Sequence, residues 1–196
     1  MRSLFIVLFS VFALFSCKQK EKQSNQKPGD KKIENSDYTI SKNGIGKLKI
    51  GMTHTEVGNL LNKHFSFNAI KDSAGYWNDT VKTKYMDMDV SLFFERQYSE
   101  NDNGVMLLNG VETTSPLCKT ASGIGVGDEK SAILPAYEDN PINMGPEWES
   151  VNDSTWAMSK TKYSISVKDD KWDKELVFHL VNKKVVSLQA AIIMGD

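Results

Sequence analysis

The sequence predicts an α+β fold of two tandem repeats, each a short helix packed on an antiparallel β-meander. Three observations carry this expectation. A ten-residue segment occurs twice, a helix-start signal lies within or just after each copy, and stretches with the alternation of half-buried strands follow each helix.

Leu48-Lys49-Ile50-Gly51-Met52-Thr53-His54-Thr55-Glu56-Val57 aligns with Ile124-Gly125-Val126-Gly127-Asp128-Glu129-Lys130-Ser131-Ala132-Ile133, an offset of 76 residues. Each copy sets an apolar–x–apolar–Gly run before a helix. In the first, Thr53 and Glu56 form a capping box, each satisfying a backbone N–H that the helix leaves unpaired. Val57, Leu60 and Leu61 then share one helical face. In the second, Asp128 is the expected cap, and Ile133 and Tyr137 match Val57 and Leu61. Pro135 lacks an N–H and clashes with the preceding turn, so it shortens or kinks that helix.

Met86, Met88, Val90, Leu92 and Phe94 alternate with Asp87, Asp89, Ser91 and Phe93, the period of a strand with one buried face. Val105–Leu108 and Val111–Thr114 flank Asn109-Gly110, a pair that favours a hairpin turn. Trp156 with Met158, and Ile165 with Val167, mark further strand. A last hairpin pairs Leu176, Phe178 and Leu180 with Val186, Leu188, Ala190 and Ile192 across Asn182-Lys183. The expected divisions are 1–16, 17–36, a first repeat at 37–116 and a second at 117–196.

Residues 1–16 read as an export signal. Arg2 precedes an apolar run of 12 residues, Leu4 to Phe15. A helix crossing the hydrocarbon core needs roughly 20, so the run suits a cleaved signal rather than a permanent span. Leu14-Phe15-Ser16-Cys17 resembles the lipobox of bacterial lipoproteins, with Phe15 bulkier than the usual small residue. That resemblance implies cleavage before Cys17 and a lipid on its sulfur, which makes the membrane a partner. Lys18 after the Cys resembles the outer-membrane sorting pattern of enteric-type lipoproteins. Residues 18–36 hold six lysines and one apolar side chain, Ile33. Such a stretch buries too little to offset its ordering entropy and reads as a flexible tether.

Cleavage leaves 180 residues and takes the formal charge from −1 to −2 as Arg2 is lost. A near-neutral chain lacks the basic face of a nucleic-acid binder. With Cys17 acylated, Cys118 is the only thiol left, so no internal disulfide forms. Cys118 reads as a small buried apolar residue.

Ile50-Gly51-Met52-Thr53 with Glu56-Val57 resembles the Val-Gly-Met-Thr-x-x-x-Val opening of two related groups. One is the small lipoprotein of the outer-membrane β-barrel assembly machinery (BamE/SmpA-like); the other is the tandem β-lactamase inhibitor protein. The resemblance implies a short helix on an antiparallel sheet, twice in one chain for the tandem group. The second copy departs from the motif at Asp128 and Glu129, and no contact residue of either family carries over.

No catalytic, cofactor or metal constellation emerges. Gly123-Ile124-Gly125-Val126-Gly127 lacks phosphate-loop spacing, and Asp128 opposes an anion there. His54, His64 and His179 are scattered. Asp87 and Asp89 read as a solvated face. Asn101-Asp102-Asn103-Gly104 has Ser99 and Gly110 where a calcium loop needs carboxylates. Asp72-Ser73-Ala74, Asp79-Thr80-Val81 and Asp153-Ser154-Thr155 match a short bacterial O-glycosylation pattern. Trp77, Trp148, Trp156 and Trp172 are candidate anchors for a protein partner, since buried aromatics dominate such interfaces. The expected function is a non-enzymatic, membrane-anchored envelope lipoprotein that binds another protein. The alternatives are an inhibitor or immunity-type protein acting on an exported enzyme, and an enzyme of unrecognised type.

Overall fold

The computed structural model describes residues 37–67, 70–71, 77–96, 105–171 and 173–193. The signal segment, Cys17, the tether, the 72–74 and 101–104 motifs and Trp172 lie outside the described residues, as does the side chain of Trp77. The chain begins with β1 (Thr39–Ser41), β2 (Gly44–Ile45) and β3 (Leu48–Lys49), then helix α1 (His54–Leu61). Next come β4 (Ile70–Lys71), β5 (Trp77–Tyr85), β6 (Met88–Arg96), β7 (Met106–Thr113) and β8 (Lys119–Thr120). Helix α2 (Lys130–Ala136) leads into β9 (Ile142–Asn152), β10 (Thr155–Lys168), β11 (Lys174–Val181) and β12 (Lys184–Ile192).

These strands form two sheets. The larger has eight strands in the order β4-β5-β6-β7-β12-β11-β10-β9, antiparallel throughout. The smaller runs β3-β2-β1-β8, and its β1–β8 pair is parallel. The expected α+β fold of two helix-on-meander repeats is therefore corrected: the described chain is mostly β, with helices of eight and seven residues. The physical reason lies in how apolar surface is covered. The first-half strands join the second-half strands edge to edge at β7–β12, where Leu188 faces Thr113 and Ala190 faces Val111. Joining two four-stranded sheets this way removes two exposed edges, each of which would leave a row of unpaired backbone groups. The first repeat's apolar–x–apolar run (Leu48 to Ile50) is used as β3 of the small sheet, where Leu48 is fully buried.

One core lies between the large sheet and the layer formed by the small sheet and helices. Leu92, Phe94, Leu108, Val111, Ile165, Phe178, Leu180 and Leu188 come from the large sheet. Ile40, Ile45 and Leu48 meet them from the small sheet, and Val57 and Ile133 from the helices. Phe178 is completely buried and packs its ring 5.7 Å from that of Tyr137.

Local signals account for the ends of α1. Thr53 Oγ1 accepts the Glu56 N–H at 3.2 Å, and Glu56 Oε2 accepts the Thr53 N–H at 2.7 Å. In α2, Pro135 sits inside a shortened helix, and the N-cap is Glu129 without a side-chain cap. Asp128 instead accepts the Gly125 N–H at 2.7 Å and pairs with Lys119 at 3.2 Å, closing the loop before the helix.

Three strand expectations shift. Asn109-Gly110 is not a turn, because β7 runs through it. Gly110 faces Phe93 across the pair, and a Cβ there would lie 3.1 Å from the Phe93 ring. The glycine thus permits close aromatic packing on a strand rather than a reversal. Met86 sits in the β5–β6 turn at φ +54° and is exposed. Asn182 and Lys183, at φ +50° and +69°, do make the last turn, as expected of a type I′ hairpin. A register shift after His179, however, turns Val185 inward and leaves Val186 exposed.

Phe178→Ala is expected to cost about 3–5 kcal/mol in urea unfolding. Asn109 is the extra residue of a bulge in β7 and its side-chain amide donates to the Glu95 carboxylate, so Asn109→Val is expected to cost about 1–3 kcal/mol. The Thr53 backbone N–H, and then its hydroxyl, hold the Glu56 carboxyl below its ordinary range. Its contribution is therefore present above the unfolded carboxyl range near pH 4.3 and lost as acid protonates the folded group. Glu56→Gln should flatten that part of the stability profile between about pH 5 and 3.

Candidate interaction surfaces

β9 and β10 make the longest hairpin, and its outer part reaches beyond the rest of the sheet. β11 ends at Val181, which pairs with Lys162, and the Asn182 N–H donates to the Thr161 carbonyl at 3.0 Å. Residues 155–160 of β10 continue past that level with β9 alone. Along β9, from Glu147 to Asn152 at about 3.3 Å per residue, the hairpin projects roughly 17 Å. Its turn is closed by Asn152, whose side-chain oxygen accepts the Ser154 N–H at 3.1 Å. The strand is re-aimed by a bulge between Met158 and Tyr163. Within it, Ser159 is buried, and its Oγ accepts the N–H groups of Lys162 at 3.0 Å and Thr161 at 3.3 Å.

Register then decides which side chains meet. Met158 stands directly opposite Trp148, and Trp156 opposite Ser150. By the two-residue period, Trp148, Met158 and Trp156 share one face of the hairpin. They are 61%, 59% and 63% exposed, an unusual arrangement for three large apolar side chains. Beside them opens a recess of about 530 Å³ lined by Lys130, Lys160, Lys183, Tyr163 and Leu180, with no carboxylate in its described lining. The Lys130 ammonium lies 5.5 Å from the centre of the Tyr163 ring. Of the acids on and beside the hairpin, Glu149 pairs with Lys162 at 3.4 Å, Glu129 with Lys184 at 3.8 Å and Glu147 with His179 at 2.7 Å, while Asp153 stands exposed in the hairpin turn.

A second surface lies on the outward face of the large sheet. Ser91, Glu112 and Gln189 are half-buried in one cross-strand row, which continues through the buried Val177 and Ser166 over five strands in all. Next to it, His179 Nδ1 lies 2.7 Å from Glu147 and Nε2 lies 3.1 Å from Gln189, so one ring ties β11 to β9 and to β12. Phe93, over Gly110, adds a half-buried aromatic on this face.

Of the four tryptophans singled out in the sequence, Trp148 and Trp156 come together on the hairpin, and Trp77 begins β5. Met158 completes the apolar face, and its pairing with Trp148 is visible only once the register is known. The His179–Glu147–Gln189 cluster escaped sequence reading for the same reason, since its members come from three strands. His54 accepts the Met106 N–H at 3.2 Å and meets Phe67 edge-on, a structural role. Asp89 pairs with Lys84 at 3.1 Å, and the Asp87 carboxylate beside Tyr38 pushes the Tyr38 phenol above its usual range. Thr80 lies within β5, and Ser154 lies in the exposed hairpin turn. Among the described residues no group of three or more His, Cys, Asp or Glu could hold a metal, and no helix is long and apolar enough to cross a membrane.

Cys118 is fully buried, and burial pushes its thiol up to about 12. It is expected to resist a thiol reagent at pH 8 in the folded protein and react once unfolded; rapid modification of the native chain would contradict its placement.

No family model, curated protein or solved structure matches the chain.

Proposed function

We propose that the protein is a lipid-anchored lipoprotein of the outer membrane, held by acyl chains on Cys17, that binds another envelope protein and makes no bonds. The export-type segment ending in Cys17 supports the anchor. Two or more acyl chains make such an attachment durable, at about 0.8 kcal/mol per buried methylene. The observation that most supports recognition is the pre-ordered outward face of the large sheet. There the His179 ring is fixed between Glu147 and Gln189 across three strands, and Phe93 lies on the same face three strands away. A rigid polar surface with an aromatic anchor binds without first ordering its own side chains, which lowers the entropic cost of association.

The two parts of this reading are tested separately. Radiolabelled palmitate should appear on the protein and vanish with Cys17→Ser; label that persists in the variant would refute the anchor. Photo-crosslinking residues placed at Ser91, Glu112 and Gln189 in intact envelopes should give one discrete protein adduct, weakened at least severalfold by His179→Ala. Absence of a protein adduct from all three positions would refute recognition by this face.

A further inference from the structure

The register of the large sheet puts several features at one end of the molecule. The described chain starts at Asp37, whose carboxylate accepts a hydrogen bond from the Tyr85 hydroxyl at 3.1 Å. Tyr85 closes β5 at the Met86–Asp87 turn, and Asp87 also lies beside Tyr38. Crossing the sheet from there, Val90 of β6 faces Thr113 of β7, Thr113 faces Leu188 of β12, and β12 begins just after the Asn182-Lys183 turn. Val181 of β11 precedes that turn and faces Lys162 of β10, beyond which the hairpin projects. Asp37, the two turns, the lysine recess and the Trp148–Met158–Trp156 face therefore all lie toward the same strand ends of the sheet, with Asp37 and the hairpin five strand spacings, roughly 24 Å, apart across it.

We infer that the β9–β10 hairpin is a second membrane contact, seating Trp148, Trp156 and Met158 in the interfacial zone of an anionic bilayer. Lys130, Lys160 and Lys183 then meet lipid phosphate. The inference rests on Cys17 as the anchor, because the chain leading from that lipid reaches the body at the hairpin's end. About 20 residues separate Cys17 from Asp37, and a polar chain of that length spans roughly 25 Å as a coil. That reach exceeds the projection of the hairpin, so the two attachments can act together. The chemistry suits this occupant: tryptophan is favoured where apolar chains meet water, and lysine where headgroups are anionic. The outward sheet face, with His179, stays free for a protein.

The test uses the lipidated full chain reconstituted in phosphatidylethanolamine–phosphatidylglycerol vesicles carrying a nitroxide quencher high on the acyl chains, read by tryptophan fluorescence. The quenched fraction should fall roughly threefold in the Trp148→Ser/Trp156→Ser variant. It should also fall when phosphatidylglycerol is omitted, or in Lys130→Gln/Lys160→Gln/Lys183→Gln. These side chains are largely on the surface, and an unchanged melting temperature confirms that each variant is folded. Quenching equal in wild type and the tryptophan variant overturns the inference while palmitate labelling leaves the anchor standing. Quenching on added vesicles by a chain that takes no palmitate upholds the hairpin and refutes the anchor. Absence of quenching, together with a protein adduct from a photo-crosslinker at Trp156, assigns the hairpin to a protein and overturns the inference.

Discussion

The pairing of β7 with β12 holds this architecture together. Four residue pairs, from Gly110–Ala191 to Thr113–Leu188, join the strands of the first half to those of the second. Thr113 is nearly fully buried at this seam, and its hydroxyl donates to the Asp89 carbonyl at 2.8 Å, so the polar group buried there is satisfied. Because side chains alternate with period two, a slip of one residue would carry Leu188, Ala190 and their neighbours out of the core. The seam also sets direction. It places the end of the sheet where Asp37 meets Tyr85 level with the end from which the β9–β10 hairpin projects.

Two edges remain after the seam is made. At one, β4 covers only Trp77 and Asn78 of the nine-residue β5, so β5 itself forms the sheet edge over residues 80–85. At the other, β9 carries Pro146 opposite Tyr163, and proline offers no N–H to an incoming strand. Trp148 sits on this edge strand, and Trp156 and Met158 sit on its partner β10. Charge on the hairpin and near it is divided as well, with Glu149 held by Lys162 while Lys130, Lys160 and Lys183 gather around one recess. The outward sheet face is ordered by different means, through the His179 contacts to Glu147 and Gln189.

What could be read from the sequence was local. The Thr53–Glu56 capping box and the Asn182-Lys183 turn depend on a few consecutive residues, and both occur where the residue types require them. Asn109-Gly110 has the same turn chemistry, yet Phe93 on the neighbouring strand decides its conformation, and no local pattern contains that information. Ile142–Asn152 gave no strand signal because Gly145 and Pro146 interrupt it; the strand exists through pairing with β10. The α+β expectation failed for a related reason, since two meanders with half-covered faces look alike whether they stay apart or share a sheet. Trp148 and Trp156 were recognisable as candidates one by one, but their common face with Met158 belongs to the register.

The proposed function depends on the same geometry, because the surfaces proposed for recognition and for membrane contact act together only if the halves are locked in one register. Native-state amide hydrogen exchange tests this most directly. The account predicts that the amides of Val111, Thr113, Leu188 and Ala190 exchange among the slowest in the chain, through a single global opening shared by both halves. Fast exchange at the seam, with two separate opening energies for the two halves, would contradict it.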